Sequence, residues 1–226
     1  MDRTLPLWRR SAAEALAAFA LVVAGCGAII ANAQYKGALG AVGVSLVFGL
    51  IIMVMIYATG HLSGAHINPA VTLAFTLTRH FRPRDAVAYI AAQVAGAVAG
   101  ALVLLVLWPD QPADLGATVP TIAAGRAFLY ELLLTAILMF VIMAVATDTR
   151  AVGAAAAIAI GGTIGLDALF GGPATGASMN PARSFGPALV SGTWTDFWVY
   201  VAGPIAGAVL GALAYQLVRG GRPAPI

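Results

Sequence analysis

The stretch SGAHINPAVT, from Ser63 to Thr72, interrupts an otherwise oily chain with a His, an Asn and a Pro. A second stretch, TGASMNPARS from Thr175 to Ser184, stops in the same way around the same Asn-Pro-Ala. Each Asn-Pro precedes a short apolar run, AVTLAFTL after Pro69 and ARSFGPALV after Pro181. Runs of ~8–10 residues cover only half of a bilayer core, which takes roughly 20 helical residues to cross. They read as half-helices. Asn is a favoured cap and Pro belongs at the first helical position, so the starts fall at Asn68-Pro69 and Asn180-Pro181.

The rest of the chain supplies the setting. Of 226 residues, 61% are hydrophobic and 9% charged, against about 25% charged in a soluble domain. Lipid is therefore the main solvent. Six segments are long and apolar enough to span it: about 11–31, 39–59, 85–107, 125–147, 151–170 and 194–218. The N-terminus MDRTLPLWRR has no signal-peptide layout, so the first span reads as a retained helix. An even number of spans puts both termini on one side. Arg3, Arg9, Arg10, Arg79, Arg82, Arg84, Arg150, Arg219 and Arg222 fall on that side, and only Lys36 and Arg126 on the other. Positive charge marks the cytoplasm, so cytoplasmic termini in the cell (inner) membrane are expected, with residues 108–121 as the long outer loop. The few basic residues sit between apolar runs and give no nucleic-acid surface. Cys26 lies alone in an apolar run and reads as a packing residue.

The chain repeats itself. AYIAAQVAGAVAGALVL from Ala88 parallels VYVAGPIAGAVLGALAY from Val199, and Glu14 parallels Glu131. The repeats run about 8–108 and 124–220 within one membrane domain, 1–226. Three spans in each make them inverted, with their meeting place at the midplane. Gly96/Gly100 and Gly207/Gly211 are small-residue pairs that let helices touch.

The two half-helices then start near the membrane centre from opposite faces. Backbone groups without partners cannot face lipid, so the loops before Asn68 and Asn180 must line a watery path. Two helix N-termini add partial positive charge of ~+0.5 each. Neutral molecules trade water bonds for loop carbonyls and Asn amides there, while cations are repelled. Arg183, one turn past Asn180, marks a functional site because a charge at that depth has to line a cavity. An ion-coupled transporter would need titratable groups at the midplane, where the sequence puts Asn and backbone. An enzyme would need a nucleophile–base pair or a metal-ligand cluster, and none stands out. No cofactor is implied.

SGAHINPAVT and GASMNPARSFGPAL resemble the two pore loops of the aquaporin (major intrinsic protein) family, and six spans, two half-helices and the paired Glu residues extend the resemblance over nearly the whole chain. It implies an all-α membrane fold with two half-helices meeting at the midplane, and a homotetramer with one pore per subunit. It implies that Glu14, Glu131 and His66 support the pore loops, where hydropathy alone would point to a proton relay at the acids. It also implies a selectivity filter at Phe48, Ala168, Ala177 and Arg183. Strict water channels carry His at the position of Ala168. Small residues there, with MVMIYATGHLSGAH and GPATGASMNPARS nearby, look most like the plant nodulin-26-like branch. The implied function is passage of water and small uncharged solutes such as glycerol, urea or neutral metalloid acids, with a strictly water-selective channel as the alternative. Ser184 stands where glycerol facilitators carry Asp, which counts against a dedicated glycerol channel.

Asp167 has two readings: a carboxylate facing the pore or Arg183, or an acid near the outer mouth bonded to loop backbone or water. The second is the stronger, and adjacent helix positions ~100° apart keep Asp167 and Ala168 from both facing the pore. His61 reads as structural, His80 as a solvated face beside Arg79, Arg82 and Arg84, and Tyr57 with Met53–Met55 as helix packing.

Overall fold

The computed structural model describes residues 5–148 and 155–220, and these are helical with no strand among them. The first span is α1 (Leu7–Leu21), a π-helical turn (Val22–Cys26) and α2 (Gly27–Gln34) in one run. α3 (Gly40–Ser63), α5 (Pro83–Leu107), α6 (Ala124–Thr147), α7 (Ala156–Thr175) and α9 (Val199–Arg219) are the other spans. The half-helices are α4 (Pro69–Leu77) and α8 (Pro181–Ser191).

Several expected ends move. α3 continues beyond residue 59 to Ser63, where Gly64 closes it at φ 93°. α7 runs on through Pro173 to Thr175, where Gly176 caps it at φ 85°. Glycine takes this left-handed conformation without the clash of a Cβ. The sixth span begins at Val199, not 194, because Asp196 at φ 49° breaks the helical run before it. Residues 151–154 of the expected fifth span, with Arg3, Arg150 and Arg222, lie outside the described residues.

α1 packs along α5, α6 along α9, and α3 along α7. The glycine seams explain how closely. A Cβ on Gly96 would stand 2.1 Å from the Ala15 carbonyl oxygen, and one on Gly207 2.2 Å from that of Leu132. The backbones touch where side chains are missing, which is how helices gain contact in lipid. Leu102, Val106, Leu133 and Leu217 point outward instead, as apolar surface on the bundle. Ion pairs tie one end: Arg10 to Asp85 at 2.9 Å and Arg219 to Asp148 at 3.1 Å. Exposed Arg79, Arg82 and Arg84 fall at the same end, and exposed Lys36 and Arg126 at the other. α4 lies against α9 and α5, and α8 against α5, so both half-helices are walled by spans.

Candidate functional site

Both half-helices begin with a filled cap. Asn68 Oδ1 accepts from the Ala70 N–H at 2.9 Å, and Asn180 Oδ1 from Ala182 at 3.0 Å and Arg183 at 3.3 Å. Pro69 and Pro181 occupy the first helical positions, where no N–H is needed. Each asparagine also reaches across. Asn68 Nδ2 donates to the Met179 carbonyl at 2.7 Å, and Asn180 Nδ2 to that of Ile67 at 2.9 Å. The expectation from sequence has both amides as open donors. One N–H of each is instead taken up by the opposite loop, and both residues border the cavity described below.

Buried carboxylates hold the loops. Glu14 Oε1 accepts from Ser63 Oγ at 2.6 Å and the His66 N–H at 3.0 Å, and its Oε2 from the Ile67 N–H at 2.6 Å and Gln93 Nε2 at 2.8 Å. Glu131 does the same with Thr175 Oγ1 at 2.7 Å, Ser178 N–H at 2.9 Å and Met179 N–H at 2.8 Å. These bonds pin a strained backbone. Ala65, Ile67, Ala177 and Met179 all have positive φ, between 42° and 57°, at roughly 1–2 kcal/mol each for a residue with a Cβ. Among the described residues, no hydrogen bond falls on the carbonyls of Gly64, Ala65 and His66 or of Gly176, Ala177 and Ser178. They remain as acceptors for whatever fills the space beside them.

That space is a cavity of about 110 Å³, room for several waters. It is bordered by both loops, both asparagines and His66. Phe48, Ala168, Ala177 and Arg183 border it too. Arg183 is 2% exposed. Its Nη1 donates to the Gly116 carbonyl at 2.8 Å, and its Cζ stands 5.1 Å from the Phe48 ring centre. Nε and Nη2 have no partner among the described residues. Arg183 as a whole borders the cavity, while these two nitrogens are themselves shielded from it.

His66 Nδ1 is 3.1 Å from Thr72 Oγ1, and its ring sits among Phe75, Phe81 and Tyr89. Asp167 departs from the preferred expectation. It is wholly buried and off the cavity wall, and neither carboxylate oxygen has a hydrogen-bond partner among the described residues. It is neither at the mouth nor bonded to loop backbone. Tyr57 is exposed on α3, on the outside of the bundle, not packed between helices, and His61 is exposed as well. His80 is half-buried, with Nδ1 3.1 Å from Thr78 Oγ1, and burial pushes its pKa down.

Three supports were not singled out from the sequence. Gln93 donates to both Glu14 and Thr72; an amide in the middle of an apolar span is a visible signal. Thr118 meets Ser184 at 2.7 Å, and the Gly116 carbonyl holds Arg183. Both come from the long loop, whose sequence gives no hint that it folds back into the bundle.

Spanning helices closed around a polar-throated cavity, with two half-helices entering it, are the architecture of a membrane channel. The family description "Major intrinsic protein" matches residues 1–215. The chain belongs to that family, whose members are channels and not enzymes. It is 48% identical over 216 residues to Aquaporin NIP1-1 of Zea mays, covering 96% of this chain and 77% of that one. It is 43% identical to Nodulin-26 of Glycine max, covering 96% and 80%. Among solved structures it resembles the aquaglyceroporin from Plasmodium falciparum, with TM-score 0.83 and 28% identity over 94% of this chain and 97% of that one.

Proposed function

We propose that this chain is a passive channel for water and small uncharged solutes, closed to ions and protons. The observation that carries the reading is Arg183, a buried cation that borders the cavity together with Phe48, Ala168 and Ala177. A molecule entering there exchanges water bonds for Arg183, then for loop carbonyls, then for the spare N–H of Asn68 and Asn180. A cation meets the guanidinium first and then two helix N-termini of ~+0.5 each. Alanine at two walls leaves width for a polyol, urea or an undissociated metalloid acid, and the Phe48 ring suits such a molecule's less polar side. The kinship to nodulin-26-like and aquaglyceroporin proteins supports that breadth.

In this reading Phe48, Ala168, Ala177 and Arg183 form the filter. Asn68 and Asn180 are the pore centre, Pro69 and Pro181 start the half-helices, and Glu14, Glu131 and His66 hold the loops. The domain is one channel unit, 1–226, of two inverted repeats, about 8–108 and 124–220. It works as a homotetramer in the inner membrane with both termini cytoplasmic. Stopped-flow light scattering on vesicles, with water, glycerol, urea and arsenite gradients, tests the solute range. A parent protein that passes water and rejects all three solutes is a strict water channel, and the wide-filter reading then fails.

A further inference from the structure

The first span contains a π-helical turn, Val22–Cys26. Such turns insert an extra residue into a helix and re-aim the residues beyond it, and they concentrate at working sites. Here the turn backs onto both polar and aromatic walls of the throat. A Cβ on Gly25 would stand 2.2 Å from Phe48 Cε1 and 2.7 Å from its Cδ1 and Cζ. The nearest atoms are all in that one ring. On the next residue, a Cβ on Gly116 would stand 2.7 Å from Cys26 Cβ and 2.9 Å from its Cα. Gly116, at φ 75°, is the residue whose carbonyl holds Arg183.

We infer that Gly25 is a positioning residue for the filter: its missing side chain sets how far the Phe48 ring projects toward Arg183. Gly25 is buried and does not border the cavity, while Phe48 does. The ring is therefore held between the π-turn behind it and the lumen in front. Any methyl on Gly25 overlaps the ring well inside a normal carbon–carbon contact of about 3.5–4.0 Å. The overlap is with the far end of a side chain, so the ring yields and the helices stay. The open side is the lumen, and the throat narrows. Gly96 is different in kind: its close neighbour is the Ala15 backbone, which cannot yield without parting α1 from α5. Ala168 and Ala177 widen the throat by their own small size; Gly25 does so by leaving room behind the Phe48 ring.

The inference rests on the filter reading above, and the test separates the two. Glycerol and water permeabilities are measured in the same vesicles for the parent, Gly25→Ala, Phe48→Ala and Gly25→Ala/Phe48→Ala. Gly25→Ala should lower the glycerol-to-water ratio several-fold. In the Phe48→Ala background the same methyl should have no effect, because the ring it displaces is gone. An unchanged ratio in Gly25→Ala, or an equal loss in both backgrounds, overturns the inference while leaving the filter reading intact. Should the parent reject glycerol, the filter reading fails, and the same four proteins are compared by water permeability alone. A fall confined to the Phe48 background then supports the inference, and no fall overturns it. If Gly25→Ala does not reach the membrane, Phe48→Ala and the double variant decide: equal flux supports the inference, and a further loss overturns it.

Discussion

The two pore loops share a bond pattern and differ in what sits behind it. In each, a buried Glu takes one hydroxyl and two backbone N–H groups, and an Asn caps the half-helix and reaches across. Behind the first loop stand His66, Thr72 and Gln93. Behind the second, at the positions two before and four after the asparagine, stand Ser178 and Ser184, 2.6 Å apart, with Thr118 completing the set. Three residues past the asparagine, the first loop has Val71 and the second has Arg183. The backbone arrangement is thus needed twice, while charge is needed once. Under the proposed filter, loop shape and solute choice are separable.

The sharpest break in the comparison removes a loop's anchor. Glu14→Ala strands four donors and Glu131→Ala three, at about 1–3 kcal/mol for each buried donor left without a partner. Thermal unfolding in detergent should show both variants strongly destabilised, Glu14→Ala the more so. Equal losses would mean that Gln93 adds nothing to the first loop.

Arg183→Val copies the first loop's residue into the second. The fold should survive, because Arg183 gives only one protein hydrogen bond from its side chain among the described residues. Exclusion of cations and protons should loosen. Proton and Na⁺ leak into vesicles checks this, and a parent-like seal removes Arg183 as the barrier.

Asn68→Asp and Asn180→Asp keep the capping oxygen and lose the donor that crosses to the other loop. A carboxylate facing the Met179 or Ile67 carbonyl should cost about 1–3 kcal/mol and partly cancel the positive helix ends. Raised cation conductance with lowered unfolding temperature is expected in both. Unchanged conductance would separate the half-helix ends from the pore.

The smallest effect belongs to Ala168→His, which fills one of the two alanine walls of the proposed filter. Glycerol flux should fall much further than water flux, read as their ratio in one vesicle preparation. A ratio that stays put makes Ala168 a bystander.

Much of this is legible in residues. Asn-Pro after an apolar span fixes where α4 and α8 start, because capping chemistry is local. The glycine pairs point to close helix seams, because missing side chains let backbones touch in lipid; that the seams are α1–α5 and α6–α9 is seen only in the structure. The hidden part depends on approach in three dimensions. The closeness of Gly25 to Phe48, the return of Gly116 to Arg183 and the reach of each Asn into the other loop join residues distant in the chain. The outer-mouth expectation for Asp167 fails because it assumes a short fifth span. α7 continues for two more turns beyond it, to Thr175, and carries it into the interior.

The crossed asparagine bonds carry a consequence for synthesis. Asn68 waits for Met179 and Ile67 for Asn180, partners 111 and 113 residues away. At about 5–20 residues per second, the ribosome needs roughly 6–23 s to deliver them. For that interval the newborn first half sits in the membrane with its central loop unclasped, and water or a chaperoning helix must satisfy it. The first loop is therefore clasped only once the second asparagine has been made and has reached it.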